Sequence, residues 1–412
     1  MSDWCHQPLA LLTTFQKGRK VETSEHPREG FAPYLGASAI SGDIGEYGDT
    51  RIGVMASTDD VLMLWDGERS GLVGKAQYGV ISSTVARLTS KGEVNSSFLY
   101  YALDAKFEWI QGRRTGTGVP HVPKDLGRIL SLTFPKNKTE QHRIAEILST
   151  LDETIKQTEA LIAKYQQLKV GLMHDLFTRG VTPDRRLRPT RALAPHLYKE
   201  SPLGWIPKTW EVKQLAKFVK QDITYGIVQA GPHIENGIPY VRTGDMSGDR
   251  MVRDEMLCTS PLIAASYKRS EIKAGEIVCA IRATVGKVLP VPLELDGANL
   301  TQGTARISPN AQTDFAFLLW AMRCERTQRS ISLSIKGTTF NEITLGDLRK
   351  LPIAAPTDTV EQQLIGSRLE QCASALEIET MQLAKFRMQK HGLMHDLLTG
   401  QVRVLVAEPV AA

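Results

Sequence analysis

No run of apolar residues in this sequence approaches the ~20 that a membrane span requires. The opening stretch "MSDWCHQPLALL" lacks a basic region followed by a long apolar core, so no secretory signal is expected. Cysteine is sparse. Cys5, Cys258, Cys279, Cys324 and Cys372 are scattered, odd in number and form no CxxC pair. That pattern argues against a disulfide framework and a zinc site, predicts no metal-binding residues, and fits a reducing cytoplasm. An excess of one charge is nearly lacking too. Fifty Lys and Arg against 45 Asp and Glu leave a formal net charge of +5, a mild hint of an anionic partner. The ordinary apolar and charged fractions indicate a globular chain, and 412 residues suffice for two to four domains.

What the sequence does have is repetition. "GLMHDL" occurs at 171–176 and again at 392–397, 221 residues on. Extended upstream without gaps, residues 139–176 lie over 360–397. Apolar residues recur at a 3-4 spacing in both copies: Leu148, Leu151, Ile155, Ile162, Tyr165 and Leu172, then Leu369, Cys372, Leu376, Leu383, Phe386 and Leu393. This is a heptad stripe, which a strand cannot produce. Asn137 and Asp358 each precede a Glu three residues on (Glu140, Glu361), as in a capping box. Gly180 and Gly400 follow the far ends, as C-caps often do. Each helix is therefore predicted to run roughly 37 residues, about 55 Å at ~1.5 Å per residue. A helix that long with one apolar seam needs a partner, and the other copy is the obvious one. Thr158 with Glu379, and Lys169 with Lys390, interrupt the seam at matching places. They either fix register or are tolerated breaks. The His-Asp pair inside the repeat points two ways around a helix, so it reads as scaffold rather than as a metal or acid/base site.

The segments before the helices also repeat. "W-x4-L-A" at Trp4 and Trp210, and "PY-x6-SGD" at Pro33 and Pro239, share an offset of 206 residues. "VARL" (85–88) matches "TARI" (304–307), and "FLYYAL" (98–103) matches "FLLWAM" (317–322). Short β-like runs, "VLMLW" (61–65), "EIVCAI" (276–281) and "KVLPVPLEL" (287–295), alternate with turn residues, while "FLYYALDAKFEWI" and "FAFLLWAMRCERT" read as short helices. The expected fold is α+β: two domains in tandem, each followed by a long helix, the helices pairing as an antiparallel coiled coil. The boundaries are 1–136 for the first domain, 137–180 for its helix, 181–205 for an extended linker, 206–357 for the second domain, 358–400 for its helix and 401–412 for a tail. Arg185, Arg186, Arg188 and Arg191 in the linker read either as contacts to phosphate or a partner, or as a solvated surface strand.

This tandem arrangement resembles the specificity subunit of type I restriction–modification systems. "GWIPKTWEVKQLAKF" (204–218) looks like the opening of that family's second target recognition domain. "EQHRIAEILSTLDETI" (140–155) and "KHGLMHDLLTGQV" (390–402) look like its helical regions. The resemblance covers essentially the whole chain. The first domain departs from it by beginning at "SDWCHQPLA" without the "G-x-IP-x-x-W" lead-in. The resemblance implies that each recognition domain reads one half of a bipartite, asymmetric site in double-stranded DNA. It implies that the helices act as a spacer and as a docking platform for two modification (methyltransferase) subunits, with restriction (motor/nuclease) subunits joining later. S-adenosylmethionine, ATP and Mg are then expected on those partners only, with no cofactor and no catalysis here.

The residues agree with a binding role. No Asn-Pro-Pro-Tyr-like tetrapeptide is present to hold a flipped base. "ATVGKV" (283–288) lacks the first Gly and the Ser/Thr of a phosphate-binding loop. Reading DNA needs polar side chains on loops that enter the major groove and basic ones on phosphates. "GTGVPHV" (116–122) and "GTTFNEI" (337–343) hold the same place in the two domains with different side chains. The DNA-binding candidates are therefore Arg113, Arg114, Thr115, Thr117 and His121 in the first domain, and Lys336, Thr338, Thr339 and Asn341 in the second. Arg69, in the turn "WDGERSG", is a further candidate; Arg242, Arg282, Arg323 and Lys17 are weaker ones. Two other readings are a catalytically active DNA methyltransferase or nuclease, and a coiled-coil adaptor without DNA specificity.

Overall fold

The computed structural model of the chain describes residues 3–116, 118–337 and 341–404. The chain divides into two units. One comprises Met1–Ala160 with Thr380–Ala412, the other Leu161–Glu379. Each unit therefore holds one recognition domain, the start of that domain's own long helix, and the end of the other repeat's helix.

The two domains share one strand plan. In the first unit, Trp4–Pro8 pairs antiparallel with Ser131–Pro135. In the second, Trp210–Gln214 pairs antiparallel with Pro352–Pro356. A four-stranded sheet follows in each. Its order is Thr13–Lys17, Val85–Ser90, Asp60–Leu64, Val73–Lys75 in the first unit. In the second it is Thr224–Tyr225, Thr304–Ile307, Ile277–Ala280, Val288–Pro290. A second sheet has five strands in the first unit and three in the second.

The apolar run "FLYYAL" lies in a helix, Ser96–Asp104, that starts where the Asn95 side chain accepts from the Ser97 and Phe98 amides. Asp314 caps Phe315–Arg323 in the same way, accepting from Phe317. Both expected short helices break in two. They resume as Phe107–Gln111 and Glu325–Ser334, the latter after Cys324 takes an extended backbone. The expected strand over 287–295 is also shorter. It ends at Pro290, and Leu293–Leu295 turns as a 3-10 helix after Pro292.

The long helices are Lys138–Arg179 and Thr359–Thr399, 42 and 41 residues. Asn137 Oδ1 accepts from the Thr139 amide, and Asp358 Oδ1 from the Val360 amide. The carboxylates of Glu140 and Glu361 turn away to pair elsewhere, so the expected capping box is replaced. Within the first unit, Lys390 reaches Asp152 at 2.7 Å and Arg387 reaches Glu159 at 2.7 Å. As one helix advances the other retreats, so the pair is antiparallel.

The heptad positions are the shielded ones. Leu148 and Leu369 are fully buried and Leu383 nearly so, while Leu151, Ile155, Ile162, Tyr165, Leu172, Leu376, Phe386 and Leu393 are half-buried. Partial burial is what a two-helix seam affords, since each side chain is covered from one side only.

The duplicated hexapeptide is scaffold. Leu172, Met173 and Leu176 join the core of the second unit, with Trp210, Phe317 and Trp320. Leu393, Met394 and Leu397 join the core of the first unit, with Phe98, Tyr101 and Phe134. Each repeat's helix thus ends in the core of the other repeat's domain. The interrupting lysines dock on the same aromatic position. Lys390 lies 5.9 Å from the Tyr101 ring and Lys169 lies 5.0 Å from the Trp320 ring. Thr158 is buried and donates to the Thr154 carbonyl at 2.8 Å.

The linker is not the free extended strand expected. Arg188 is buried against Glu361, with Nη1–Oε1 2.5 Å and Nη2–Oε2 2.9 Å. Glu361 Oε1 also accepts from the Val181 amide and from Trp210 Nε1, both at 2.9 Å. Arg191 stacks 4.6 Å over Trp205, and Tyr198–Lys199 pairs with Ile206–Pro207. Neither sequence-based reading of Arg188 holds, because a guanidinium bonded bidentately to a buried carboxylate serves the fold. Gly180 has φ 65°, and a Cβ there would meet Arg188, Glu361 and Trp210 at under 3 Å.

Candidate nucleic-acid interface

An inner strand of each four-stranded sheet leads into a tight turn, and the Gly-Thr loop closes onto that turn. In the first unit the strand Asp60–Leu64 runs on through Trp65 and Asp66 to Gly67, at φ 107°. The Gly67 amide donates to the Pro120 carbonyl at 2.8 Å, and the Val122 amide to the Trp65 carbonyl at 2.9 Å. The loop's neck is a pair of backbone bonds between Thr115 and His121, at 3.0 and 2.8 Å. In the second unit the strand Ile277–Ala280 runs on through Ile281 and Arg282 to Ala283, at φ 57°. The Ala283 amide donates to the Asn341 carbonyl at 3.2 Å, and Lys336 and Glu342 form the neck, at 2.9 and 3.1 Å.

The expected DNA-binding side chains gather at these places, and most are already engaged. Arg114 donates to the Glu68 carbonyl at 2.6 Å and to Gln111 at 2.9 Å. Arg113 stacks 3.9 Å over Trp109. His121 Nδ1 lies 2.7 Å from Asp66 Oδ1, while Lys17 Nζ holds Asp66 Oδ2 at 2.6 Å. Arg69 is exposed on the turn beneath. In the second loop Arg282 Nε donates to Glu342 at 2.8 Å, Lys336 pairs with Asp347 at 2.8 Å, and Asn341 is exposed. The hydrogen bond from Lys336, followed by one from Thr344, holds the Asp347 carboxyl below its ordinary range. Thr117, Thr338 and Thr339 lie outside the described residues.

Arg242 belongs to a separate cleft of about 780 Å³ that it lines with Thr243, Asp245, Asp249, Arg250 and Glu255. It pairs bidentately with Asp245 at 2.6 and 3.1 Å, and that hydrogen bond raises its pKa. Arg323 donates to the Val288 carbonyl beside Trp320, in the second unit's own fold. Sequence reasoning missed Asp66 and Glu342. A signal was present, since Asp66 holds the repeat place of the candidate Arg282 and Glu342 that of the candidate His121, but an acid at such a place gave no reason to pair it with a residue of the facing segment.

These are two copies of one device: an inner sheet strand, a turn with a left-handed residue, and a polar loop pinned on it, each differing in side chains. The sequence matches the family described as Type I restriction modification DNA specificity domain over residues 1–167 and 207–385. The chain belongs to that family. Among curated members, it is 27% identical over 412 residues to the type I restriction enzyme MjaVIII specificity subunit of Methanocaldococcus jannaschii, covering 98% of this chain and 93% of the relative. It is 22% identical over 377 residues to the EcoBI specificity subunit of Escherichia coli, covering 89% and 79%. The fold is that of the crystal structure of a type I restriction–modification S subunit from M. genitalium. The TM-score there is 0.65, with 18% identity over 96% of both chains. A structure described as bearing on complex assembly and conformational transition of the type I R-M system is similar at TM-score 0.51 and 18% identity, covering 97% and 98%. Among the described residues of this family member, no helix is long and apolar enough to cross a membrane, and no group of His, Cys, Asp and Glu is placed to hold a metal ion.

Proposed function

We propose that this chain is the non-catalytic sequence-reading subunit of a type I restriction–modification complex. Each domain reads one half of a bipartite, asymmetric site in double-stranded DNA through its Gly-Thr loop. The observation that carries this reading is the pair of loops. They are held alike on equivalent turns, yet the side chains beside them differ: Arg113 and Arg114 in one domain, Asn341 and Lys336 in the other. Two copies of one frame with different polar side chains suit two different sets of bases.

The long helices serve as spacer and as docking platform for two modification subunits, with restriction subunits joining that assembly. Exposed apolar side chains along the helices support the docking role: Leu168, Val170, Ile378, Met381 and Met388 are each at least half exposed. S-adenosylmethionine, ATP and Mg belong on the partners, and the chain itself carries no cofactor.

Long-read methylome sequencing of cells that express this chain with its modification subunits tests the reading. A two-part methylated motif is the expected result. The purified chain alone should transfer no labelled methyl group to DNA. Methyl transfer by the rigorously purified chain would overturn the non-catalytic assignment, and methylation without a bipartite motif would leave an adaptor.

A further inference from the structure

The two loop necks are built alike and charged oppositely. Strand pairing sets the correspondence. Ala86 of "VARL" faces Met63 and Lys17 across its sheet, and Ala305 of "TARI" faces Cys279 and Tyr225 across the equivalent one. Three residues beyond Met63 is Asp66, and three beyond Cys279 is Arg282. Each is followed by the left-handed turn residue, Gly67 or Ala283. Asp66 bridges to His121, and Arg282 bridges to Glu342. So where the first domain has an acid on the turn and a base on the loop, the second has a base on the turn and an acid on the loop. The third member changes with them. Lys17, which holds the other oxygen of Asp66, is replaced by the uncharged Tyr225 where the turn residue is itself a cation.

We infer that Asp66 and Glu342 are positioning residues for base recognition, each fixing its Gly-Thr loop on its own turn. The exchange of charge makes each loop fit only its own domain. A hydrogen bond to a base edge discriminates only if the donor is placed within a few tenths of an ångström, so a loop must be fastened on more than its own backbone. The neck bonds close each loop, and the ion pair fixes its angle to the sheet. Glu342 set opposite Asp66 would put two acids together, which repel, and His121 set opposite Arg282 would leave the guanidinium without its carboxylate; both penalise the mismatched combination. This inference rests on the reading of the domains as halves of one DNA reader.

The test uses the full chain assembled with its modification subunits, and DNA carrying the motif found by methylome sequencing. Discrimination is the ratio of Kd for that motif to Kd for DNA with one base changed, measured for each half-site in turn. His121→Glu places an acid against Asp66. It should lower discrimination at one half-site about tenfold, the scale of one lost base contact, and leave the other half-site as it was. Adding Asp66→Arg and Lys17→Tyr rebuilds the second domain's arrangement and should restore most of the loss. In the second domain, Glu342→Gln should lower discrimination at the opposite half-site. Arg282→Glu with Glu342→Arg, which reverses that pair, should preserve it.

Equal losses at both half-sites, or no rescue by a triple variant that melts like the parent, would overturn the inference while leaving the two-domain reading intact. An unmodified complex that discriminates at neither half-site would overturn both.

Discussion

At the scale of single residues, two tryptophans in equivalent positions have different surroundings. Trp210 Nε1 donates to Glu361 at 2.9 Å. Trp4 Nε1, its counterpart 206 residues earlier, is buried with no hydrogen-bond partner among the described residues. A buried orphan donor costs about 1–3 kcal/mol, and losing a made bond to a buried carboxylate costs about the same. Trp4→Phe should therefore leave stability unchanged or raise it slightly, while Trp210→Phe should lower it by about 1–3 kcal/mol, as read from denaturant midpoints. Similar losses for both would remove this distinction. Cys279 makes a second residue-scale case. Complete burial pushes its thiol up to about 12 from an ordinary 9.0. The thiolate is the reactive form, so Cys279 should resist iodoacetamide at pH 8 while half-buried Cys5, Cys258 and Cys372 react first. Peptide mass spectrometry after timed labelling checks the order. Because the folded pKa is raised, the linked stability is fully present below pH 9.0 and is lost as pH rises toward about 12.

The elements are fastened by buried groups that heptad periodicity does not reveal. Glu361, in the first turn of the second long helix, serves Arg188, Val181 and Trp210 at once. Glu361→Ala would leave the Arg188 guanidinium buried without its carboxylate, a change that typically costs about 3–5 kcal/mol. Glu140, its counterpart, is also buried, but its partner Arg403 is half exposed and can turn to water. Glu140→Ala should be clearly milder. Equilibrium denaturation of the two variants should rank them in that order, and the reverse ranking would mean that burial of the arginine is not what decides the cost. Next along each helix, Gln141 and Gln362 tie it to the domain it follows. Gln141 Oε1 accepts from the amide of the cap residue Asn95 and Gln362 Oε1 from that of Asp314, and each Nε2 donates to the carbonyl of the preceding proline. The sequence "EQ" at the head of each helix thus has one residue for the other repeat's arm and one for its own domain.

For the whole molecule, the division into units cuts across the order of the chain. The first unit is completed by residues 380–404, which arrive after the second domain has been built. Arg403 pairs with Glu140 at 3.0 Å, Gly400 sits against the Trp4 ring, and Val404 packs on the first core. Removing residues 401–412 should therefore loosen segments 4–12 and 131–145, far away in sequence. The expected signature is faster amide hydrogen exchange there and a melting midpoint lower by a few degrees, with exchange in 206–357 unaffected. Uniformly faster exchange would mean instead that the tail supports both units.

The sequence by itself determined the two long helices, their seam, the doubled α+β plan and the place of both Gly-Thr loops. These are local or periodic properties: a heptad stripe, a cap residue, or a Gly-Thr pair at a repeat offset can be read without knowing what lies across the fold. Tertiary structure alone decided which carboxylate meets which cation. Glu140 and Glu361 looked like partners for their own helix ends, and Arg188 like a free surface charge. His121 and Arg282 looked available to DNA until Asp66 and Glu342 were found against them. An ion pair between residues 55 to 263 positions apart leaves no period and no local propensity behind. It exists only because folding brings the two chain segments together, and where both groups are buried, as in Arg188 with Glu361, burial makes the match obligatory.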